Sequence, residues 1–376
     1  MYQSNHQPTP ASETVLEIDL KALDHNYRYL RTRLRPGTKF LGVVKAFAYG
    51  SDSIQVAKRL VKLGVDYLGV AYVDEGIALR KAGIEVPILV LHPLPVSFGR
   101  LIKHCLEPSL YSPKILKAFL QTAAELGQKN YPVHLKFNTG LNRLGFCEND
   151  INFISKHLNG SKEIKVVSVF SHLAASEDLG EREFTENQID SFQKIANKID
   201  KKLNHKPFRH LLNTSGIINY PEAQYDMVRS GIGLYGFGNE AKIDAELRPI
   251  ATLKTVISQI HQIEPGESVG YNRAYTSDAN RQSATLPIGH ADGIGRQYGN
   301  GKAYVTINGQ QAYIIGNVCM DMIMVDVTDI TCSAGDEVIV FGANHSADQF
   351  AKGANTISYE ILTGISQRVK RTIIDD

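Results

Sequence analysis

The chain has 376 residues, more than one small domain usually contains, and this length predicts two domains, or one large and one of medium size. A formal net charge of +2, without a Lys/Arg run or an aromatic-basic array, argues against nucleic acid as a partner. The composition, 43% hydrophobic and 21% charged, is that of an ordinary globular protein, and no apolar run approaches membrane-spanning length.

The four cysteines, Cys105, Cys147, Cys319 and Cys332, lie far apart and form no C-x-x-C pair. Their spacing argues against a zinc site or a disulfide framework and favours a reducing compartment. Residues 1–13 are polar, contain no Lys or Arg and lack an apolar segment, so we predict a disordered leader and not a signal peptide. The sequence therefore predicts a soluble, cytoplasmic protein without a bound metal.

In chain order, an alternating run at residues 14–20 is followed by eight apolar runs that alternate with amphipathic helical patterns. The apolar runs cover residues 41–46, 67–71, 87–91, 108–111, 133–138, 164–172, 208–213 and 227–235. One helical pattern covers 53–64, and another at 113–127 begins with Ser112-Pro113, an N-cap followed by proline. Eight such units predict a closed parallel (β/α)8 barrel of TIM type and disfavour the alternative, a doubly wound open sheet.

Period-two alternation and turn signals replace this pattern after Pro249. The runs that predict strands are residues 252–263, 284–288, 304–315, 322–327 and 337–341, and a short helix is predicted near 356–363. Asn308-Gly309 interrupts the third run, and this dipeptide is the strongest short signal of a hairpin. We therefore predict a barrel over 14–245 and a C-terminal, mostly antiparallel β domain over 246–376, with 14–20 as a candidate strand of the latter.

The first apolar run presents one lysine, Lys45, near its end. Burying an ammonium is costly, so this lysine is either paired, neutral or used covalently. A neutral lysine is a nucleophile that forms a Schiff base with an aldehyde cofactor. The alternative is that Lys45 caps the strand and reaches water with its amine.

Further polar residues follow the other predicted strands, at the barrel face where catalytic groups of this fold gather. They are Tyr49, Lys136, Arg143, His172, His210 and Arg229, together with glycine-containing turns at 213–216 and 230–233. Each alone has a simpler interpretation, a core histidine or a surface arginine, but their convergence on one rim favours a site. Backbone N–H groups of the two turns suit a phosphate. An imine-forming lysine beside a phosphate cradle implies pyridoxal 5′-phosphate (PLP).

The chain resembles the alanine racemases, a family of fold-type III PLP enzymes, over residues 14–376. The motifs that carry the resemblance are VKAFAYG at 44–50, the segment 136–145, VRSGIGLYG at 228–236, VGY at 269–271, GHADG at 289–293, VCMD at 318–321 and Tyr359-Glu360. The resemblance implies interconversion of L-alanine and D-alanine, which supplies D-alanine for bacterial peptidoglycan. It also implies a homodimer whose active sites are shared across the subunit interface.

The resemblance further implies a two-base mechanism, because a single base returns a proton to the face it left. Lys45 matches the lysine that binds the cofactor and serves one face, and Tyr271 of the partner subunit serves the other. A phenol is a poor base at neutral pH unless neighbours shift its pKa. His172 matches a histidine near that tyrosine, where it can polarise the phenol.

Arg229 matches the residue at the cofactor's ring nitrogen, with His210 as its support. Because arginine keeps its proton in proteins, the ring nitrogen should stay neutral, which limits side reactions. Arg143 and the backbone N–H of Met320 of the partner subunit match the groups that bind the substrate carboxylate. In many relatives the lysine matching Lys136 is carbamylated, and we take this over as a hypothesis.

The remaining matches concern the phosphate and the surroundings of the site. The residues matched to cofactor or phosphate binding are Tyr49, Asn213, Thr214, Ser215, Gly231, Ile232 and Tyr359. Asp321 has a supporting role, and Tyr275 either lies at the mouth of the active site or packs across strands. Departures from the family pattern at Phe47, Ser51-Asp52, Asn138, Leu141 and 214–215 put rate and substrate range in doubt more than reaction type.

Three alternatives to an alanine racemase are compared with the sequence: another racemase, a decarboxylase and a non-catalytic binding protein. A serine or broad-specificity racemase stays open, because the motifs do not reveal pocket size. A fold-type III decarboxylase for a basic amino acid would need a carboxylate at the ring nitrogen, so Arg229 and Tyr271 argue against it. A non-catalytic PLP-binding barrel would need neither Tyr271 nor a C-terminal domain.

Overall fold

The computed structural model describes residues 13–238 and 240–375. The predicted leader therefore lies outside the described residues, except for Glu13. Two compact units make up the chain. One contains Leu23–Ala48 and Ser53–Arg248, and the other contains residues up to Ala22, Tyr49–Asp52 and the chain from Pro249 onward.

Strands and helices are numbered in chain order. The strands are β1 Val15–Asp19, β2 Lys39–Val43, β3 Tyr67–Val70, β4 Ile88–Val90, β5 Glu107–Leu110, β6 Tyr131–Lys136, β7 Ile164–Phe170, β8 Phe208–His210, β9 Met227–Ser230, β10 Ala251–Val256, β11 Gln259–Ile263, β12 Ser268–Val269, β13 Tyr275–Thr276, β14 Arg281–Leu286, β15 Tyr304–Ile307, β16 Gln310–Ile315, β17 Ile323–Asp326, β18 Glu337–Phe341 and β19 Lys370–Ile374. The helices are α1 Leu20–Thr32, α2 Ser53–Leu63, α3 Val73–Lys81, α4 Phe98–Lys103, α5 Pro113–Glu125, α6 Ile151–Leu158, α7 Arg182–Asp200, α8 Thr214–Asn219, α9 Ala241–Asp244, α10 Ala347–Lys352 and α11 Ser358–Gly364.

The first unit is a closed barrel of the parallel strands β2 to β9. Closure occurs because β2 pairs with β3 on one side and with β9 on the other. The helices cover the barrel with fully buried side chains such as Leu60, Phe119 and Phe192. The Ser112 hydroxyl accepts a hydrogen bond from Ile115 N at 3.3 Å, which confirms the predicted cap of α5. The predicted (β/α)8 barrel is confirmed.

Several predicted strands are too long at their C-terminal ends. The run at 227–235 is a strand only to Ser230, because Ile232–Tyr235 turns into a short 3-10 helix. The run at 164–172 ends as a strand at Phe170. The apolar character continues past each strand because the first loop residues are still buried at the barrel rim.

The second unit is built on a nine-stranded sheet in the order β11-β14-β17-β16-β15-β18-β10-β1-β19. Neighbouring strands are antiparallel except for the parallel pair β1 and β19, which confirms the predicted mostly antiparallel domain. The strand β1 therefore pairs with β10 on one side and β19 on the other. Asn308 and Gly309 have φ of 48° and 78° and join β15 to β16, as predicted for the hairpin.

One expectation for this unit is wrong in detail, and one helix was not expected. The run at 252–263 is not one strand but two, β10 and β11, because Ile257 and Ser258 bond to different neighbours, Asp336 O and Thr285 O. The helix α10, capped by Ser346, was not predicted, whereas the helix predicted near 356–363 corresponds to α11. Within the described part of the chain, no helix combines the length and the apolar character needed to span a membrane.

Candidate active site

Lys45 follows β2 by one intervening residue, so it opens a loop and does not end the strand as predicted. The strand end is fixed where Tyr235 OH donates to Val43 O at 2.9 Å and Val44 N donates to Gly69 O at 2.8 Å. The four residues after Lys45, Ala46 to Tyr49, have left-handed backbone, with φ between 52° and 55°. Left-handed conformations are costly for residues with a Cβ, so the surroundings must hold this turn in place.

Glu75, at the start of α3, provides that support. One carboxylate oxygen accepts from Ala46 N at 2.6 Å and the other from Ala71 N at 2.7 Å, so a single carboxylate ties the loop after β2 to the loop after β3. Sequence reasoning missed Glu75. An acidic residue in the first turn of a helix after a barrel strand was the available signal.

The amine of Lys45 is easier to deprotonate than that of an exposed lysine. Burial, and then the positive charge of Arg143, lower the pKa of Lys45, and Glu75 only partly opposes them. A lysine with a lowered pKa is a better nucleophile and proton acceptor near neutral pH.

Lys136 is the last residue of β6, and Arg143 lies in the loop that follows. Lys136 is 6% exposed, and burial, followed by the charges of Arg143, Arg229 and Lys45, lowers the pKa of Lys136 to about 8. The loop is closed where Asn138 N and Phe146 O bond at 2.9 Å. A Cβ at Gly145, where φ is 142°, would lie 2.4 Å from Asn138 N, so this close approach requires glycine. The segment 136–145 thus presents an exposed arginine beside a buried lysine.

Arg229, on β9, is the most buried cation of the group, at 4% exposure. Its guanidinium donates to Ser171 O at 2.7 Å, to Leu211 O at 2.8 Å and to His210 Nδ1 at 2.6 Å. None of these acceptors is a carboxylate. Burial lowers the pKa of Arg229 to about 9, so the side chain remains cationic at neutral pH.

The two predicted histidines both face Arg229. His172 Nδ1 lies 3.2 Å from the Arg229 Nη2 atom, and His210 Nδ1 accepts from Nη1. Burial, and then the charge of Arg229, hold the pKa of each histidine well below its usual value. Both imidazoles are therefore neutral, and because their Nδ1 atoms accept, their protons lie on Nε2.

The turns predicted to bind phosphate meet at Thr214. Its Oγ1 lies 3.0 Å from Ser230 Oγ and accepts from Gly233 N at 3.2 Å. A Cβ at Gly233 would lie 2.5 Å from the Thr214 methyl carbon, so the two turns approach too closely for any larger residue. Asn213 has a structural task, since its side-chain oxygen caps α8 by accepting from Gly216 N at 2.9 Å.

The flanking residues of these turns are also buried. Ser215 and Ile232 are both buried, and Gly231 precedes the 3-10 turn that begins at Ile232. The structure therefore brings the backbone of the two predicted turns together in the barrel unit.

In the second unit, Tyr271 and Met320 line one surface pocket together with Asp321. Tyr271 is 69% exposed and Met320 59% exposed. The backbone of Tyr271 is fixed where Asn317 Nδ2 donates to its carbonyl at 3.0 Å. The main chain of Tyr271 is therefore fixed, while its phenol and the Met320 side chain are exposed to solvent.

The GHADG motif supports the loop that carries Met320. His290 N donates to Cys319 O and Ala291 N to Met320 O, both at 3.0 Å. A Cβ at Gly289 would lie 2.4 Å from Met320 O, which explains the first glycine.

Asp321 is fixed by Arg368, which sequence reasoning missed. The Arg368 guanidinium donates to Asp292 Oδ1 at 2.7 Å and to Asp321 Oδ1 at 2.6 Å. The Arg368 guanidinium thus bridges the 289–293 and 318–321 motifs.

Three further tyrosines lie in the second unit. The rings of Tyr49 and Tyr359 are 6.0 Å apart, and burial followed by the neighbouring phenol of Tyr359 raises the pKa of Tyr49. Tyr275 pairs with Val269 between β13 and β12, so it is a cross-strand residue whatever other role it has.

The predicted site residues therefore fall into two sets. The barrel unit collects Lys45, Lys136, Arg143, His172 and Arg229 as electrostatic neighbours, with His210 and the 213–216 and 230–233 turns beside them. The other unit holds Tyr49 with Tyr359, and Tyr271 with Met320 and Asp321. Lysines of lowered pKa and a buried arginine at the loop ends of a parallel barrel are the arrangement expected of a (β/α)8 enzyme.

Comparison with known proteins identifies the family. Residues 18–238 match the family described as alanine racemase, N-terminal domain, and residues 250–373 match alanine racemase, C-terminal domain. The chain is 37% identical to the alanine racemase of Thermodesulfovibrio yellowstonii over 366 residues, covering 95% of this chain and 97% of the other. It is 34% identical to that of Desulfovibrio desulfuricans over 364 residues, covering 96% and 97%. This chain belongs to the alanine racemase family.

Solved structures agree. The alanine racemase of Clostridium difficile 630 superposes with a TM-score of 0.91 at 36% identity, over 98% of this chain and 97% of the other. The alanine racemase of Bartonella henselae, solved with covalently bound pyridoxal phosphate, superposes with a TM-score of 0.89 at 28% identity, over 97% and 100%.

Proposed function

We propose that this protein is an alanine racemase that uses PLP to interconvert L-alanine and D-alanine. The observation that carries the proposal is the partly buried Lys45, whose pKa is lowered by burial and by Arg143, at the loop end of the barrel. Around it Lys136, Arg143 and Arg229 gather positive charge. Such a site suits a ligand with a phosphate and a carboxylate, and an amine that is ready to bond to an aldehyde.

The residues present fit PLP. Lys45 supplies the amine for its aldehyde. The turns at 213–216 and 231–232 supply backbone N–H groups for its phosphate, and the close contact of Gly233 with Thr214 supports a cradle shaped by the main chain. We assign the hydroxyls of Thr214 and Ser215 to the same phosphate, with Asn213 positioning α8. When bound, the cofactor withdraws electrons from the substrate α-carbon so that its proton becomes removable.

Arg229 sets the reaction class. We place it at the cofactor's ring nitrogen, where its charge disfavours protonation of that nitrogen. Its bonds to His210 and to two main-chain carbonyls hold the guanidinium in one orientation. A weak electron sink favours rapid return of the proton over side reactions, which supports racemisation and argues against decarboxylation.

Two groups on opposite faces exchange the proton. Lys45, with its lowered pKa, accepts or returns it on one face. Tyr271 of the partner subunit serves the other face. His172 supports this role, because its Nδ1 faces Arg229 and its Nε2–H is left to donate to a phenol oxygen.

We propose that both subunits also contribute to substrate binding. The planar fork of Arg143 suits the alanine carboxylate, and the backbone N–H of Met320 of the partner subunit completes the contact. Carbamylation of Lys136 would place an anion among Arg143 and Arg229, and the lowered pKa of Lys136, about 8, supports it because only a neutral amine reacts with carbon dioxide.

A homodimer follows from this assignment, since Tyr271 and Met320 must reach the barrel of a second copy. Their exposure, together with that of Met322, supports an interface on this face. We further propose that the enzyme works in the cytoplasm, in line with its four free cysteines, and supplies D-alanine for peptidoglycan. The proposed domains are the barrel over 14–245 and the β domain over 246–376. Within the first range, residues 14–20 contain a strand of the β-domain sheet.

The direct test is incubation of the PLP-loaded protein with L-alanine, followed by chiral chromatography, with L-serine in a parallel reaction. We expect L-alanine to reach an equal mixture of enantiomers and L-serine to react more slowly. Comparable rates would indicate a broad-specificity racemase. Release of carbon dioxide, or no D-alanine, would refute the proposal.

A further inference from the structure

The barrel interior contains a line of hydrogen-bonded polar side chains that begins at Arg229 and His210. The proposed reaction gives no role to its other three members. We call it the relay: Arg229, His210, Ser168, His134 and Glu107, one residue from each of the consecutive strands β9, β8, β7, β6 and β5. The joining distances are Arg229 Nη1 to His210 Nδ1 2.6 Å, His210 Nε2 to Ser168 Oγ 3.0 Å, Ser168 Oγ to His134 Nδ1 2.6 Å, and His134 Nε2 to Glu107 Oε2 2.7 Å. An unbroken hydrogen-bonded path thus crosses five strands.

The ends of the relay dictate the direction of every bond. A guanidinium can only donate and a carboxylate can only accept. Arg229 therefore donates to His210 Nδ1, which leaves the imidazole proton on Nε2 to be donated to Ser168. The Ser168 hydroxyl has one hydrogen, which goes to His134 Nδ1, and His134 then donates from Nε2 to Glu107. Each donor has one acceptor, and both histidines have the same tautomer.

Burial makes these bonds important. His134, Ser168 and His210 have no exposed surface, and Arg229 and Glu107 are nearly as buried. Buried polar groups without partners are costly, and consecutive hydrogen bonds polarise one another. The ring of His210 is also stacked on Phe170, with centroids 4.6 Å apart and planes 8° apart, so it cannot easily reorient.

The relay connects a buried cation, Arg229, with a carboxylate, Glu107. The direct hydrogen-bond acceptors of Arg229 are uncharged, so no anion among the described residues is bonded to this buried cation. Glu107 supplies a negative charge at the other end of the path. Burial, and then this carboxylate, raise the pKa of the nearby Tyr67 phenol.

We propose that Glu107, His134 and Ser168 are positioning residues for Arg229. They present the Nδ1 lone pair of His210 to the guanidinium and balance its charge from a distance, so that Arg229 keeps its orientation. Only the consequence for catalysis rests on the proposed function; the relay's order of donors and acceptors does not.

The first test is independent of activity. Nitrogen-15 NMR of the PLP-loaded, histidine-labelled protein reports which ring nitrogens carry protons, with His134→Asn and His210→Asn variants used to assign the signals. We expect both histidines to be neutral and protonated on Nε2 alone. A proton on His210 Nδ1, or on both nitrogens of His134, would overturn the relay even in an active racemase. The expected pattern in an inactive protein would refute the proposed function and leave the relay standing.

The second test breaks the relay at its middle. Ser168→Ala leaves two imidazole nitrogens without partners, so we expect kcat in both directions to fall about tenfold, equivalent to about 1.4 kcal/mol. KM for alanine should stay unchanged, because Arg143 is untouched. The visible absorbance band of the bound cofactor should shift, a change that loss of packing alone would not cause.

Matched variants separate the relay from general effects of removing a buried hydroxyl. Ser109, on β5, is fully buried and its Oγ has no partner among the described residues, so Ser109→Ala should leave kcat and absorbance unchanged. Ser168→Thr retains a hydroxyl and should recover most of the lost kcat. Glu107→Gln keeps an acceptor but loses the charge, and should lower kcat with the same absorbance shift. An unchanged Glu107→Gln variant, or equal losses in Ser168→Ala and Ser109→Ala, would overturn the proposal.

Discussion

The two units of this chain present their functional residues in opposite ways. In the barrel unit, Lys45, Lys136 and Arg229 are buried or partly buried. Burial lowers the pKa of all three, and hydrogen bonds fix the Arg229 guanidinium. In the other unit, Tyr271 and Met320 extend into solvent from a well-fixed backbone. The barrel carries the groups that must be electrostatically tuned, and the β domain carries groups that a single chain leaves uncovered.

This difference indicates how the functional groups of each unit become reactive. Burial makes a lysine less basic and fixes an arginine, and a single chain can accomplish both. An exposed phenol such as that of Tyr271 becomes buried only when another surface covers it. We therefore assign half of each active site to one chain and the other half to a second copy, and the predictions below probe the two halves in turn.

Removing the barrel amine should have the largest effect. Lys45→Ala deletes both the group that binds the cofactor and one proton acceptor, so we expect racemisation to fall by at least about 10⁴-fold. The visible absorbance of the protein-bound cofactor should disappear as well. Lys62→Ala, an exposed lysine on α2, is the control and should behave as wild type. Normal turnover in Lys45→Ala would invalidate the assignment.

Removing one phenol oxygen from the β domain should be nearly as severe, but one-sided. Tyr271→Phe keeps the ring and loses the proton-transfer group, so turnover should fall about 10²- to 10⁴-fold. Exchange of the α-hydrogen with deuterium from solvent should persist for one enantiomer and be lost for the other. Tyr313→Phe, another exposed tyrosine of this unit, should be silent. Equal loss of exchange from both enantiomers would contradict two opposed bases.

The parts of the fold that depend on local sequence signals could be predicted. Eight apolar runs were enough to predict the barrel, and Ser112-Pro113 and Asn308-Gly309 were enough to predict a helix start and a hairpin. Each of these signals is local, and each reflects a backbone preference of a few residues.

Long-range pairing was beyond such signals. The run at 252–263 alternates throughout, yet its two halves take different neighbours at Ile257 and Ser258. Glu75 and Arg368 were not predicted, because Ala46 and the carboxylates of Asp292 and Asp321, which they bind, lie far from them in the chain. The relay was hidden for the same reason, since Glu107, His134 and Ser168 are far apart in the chain and meet only when the barrel closes.

Changing the substrate-binding arginine should have a moderate effect that is confined to affinity. Arg143→Lys keeps the charge but loses the planar fork, so KM for alanine should rise about tenfold while kcat changes less. Arg100→Lys, at an exposed ion pair with Asp74, is the control. A fall in kcat with unchanged KM would remove Arg143 from carboxylate binding.

Modification of Lys136 should have the smallest effect and a defined pH dependence. Its pKa is lowered to about 8, so the neutral, reactive amine becomes abundant as the pH rises from 7 to 9. Carbamylation should increase over that range when bicarbonate is present, and acid should reverse it. Native mass spectrometry compared with Lys136→Met checks this. An unmodified Lys136 at every pH would remove the hypothesis.

The most direct test of a shared active site is complementation between two inactive variants. Co-expression of Lys45→Ala and Tyr271→Phe chains with different affinity tags allows the mixed dimers to be purified. Each mixed dimer contains one site with both Lys45 and Tyr271 and one site with neither. We expect about half of the wild-type activity per dimer, since one of two equivalent sites is intact. Purified mixed dimers without activity would contradict the division of the site between two chains.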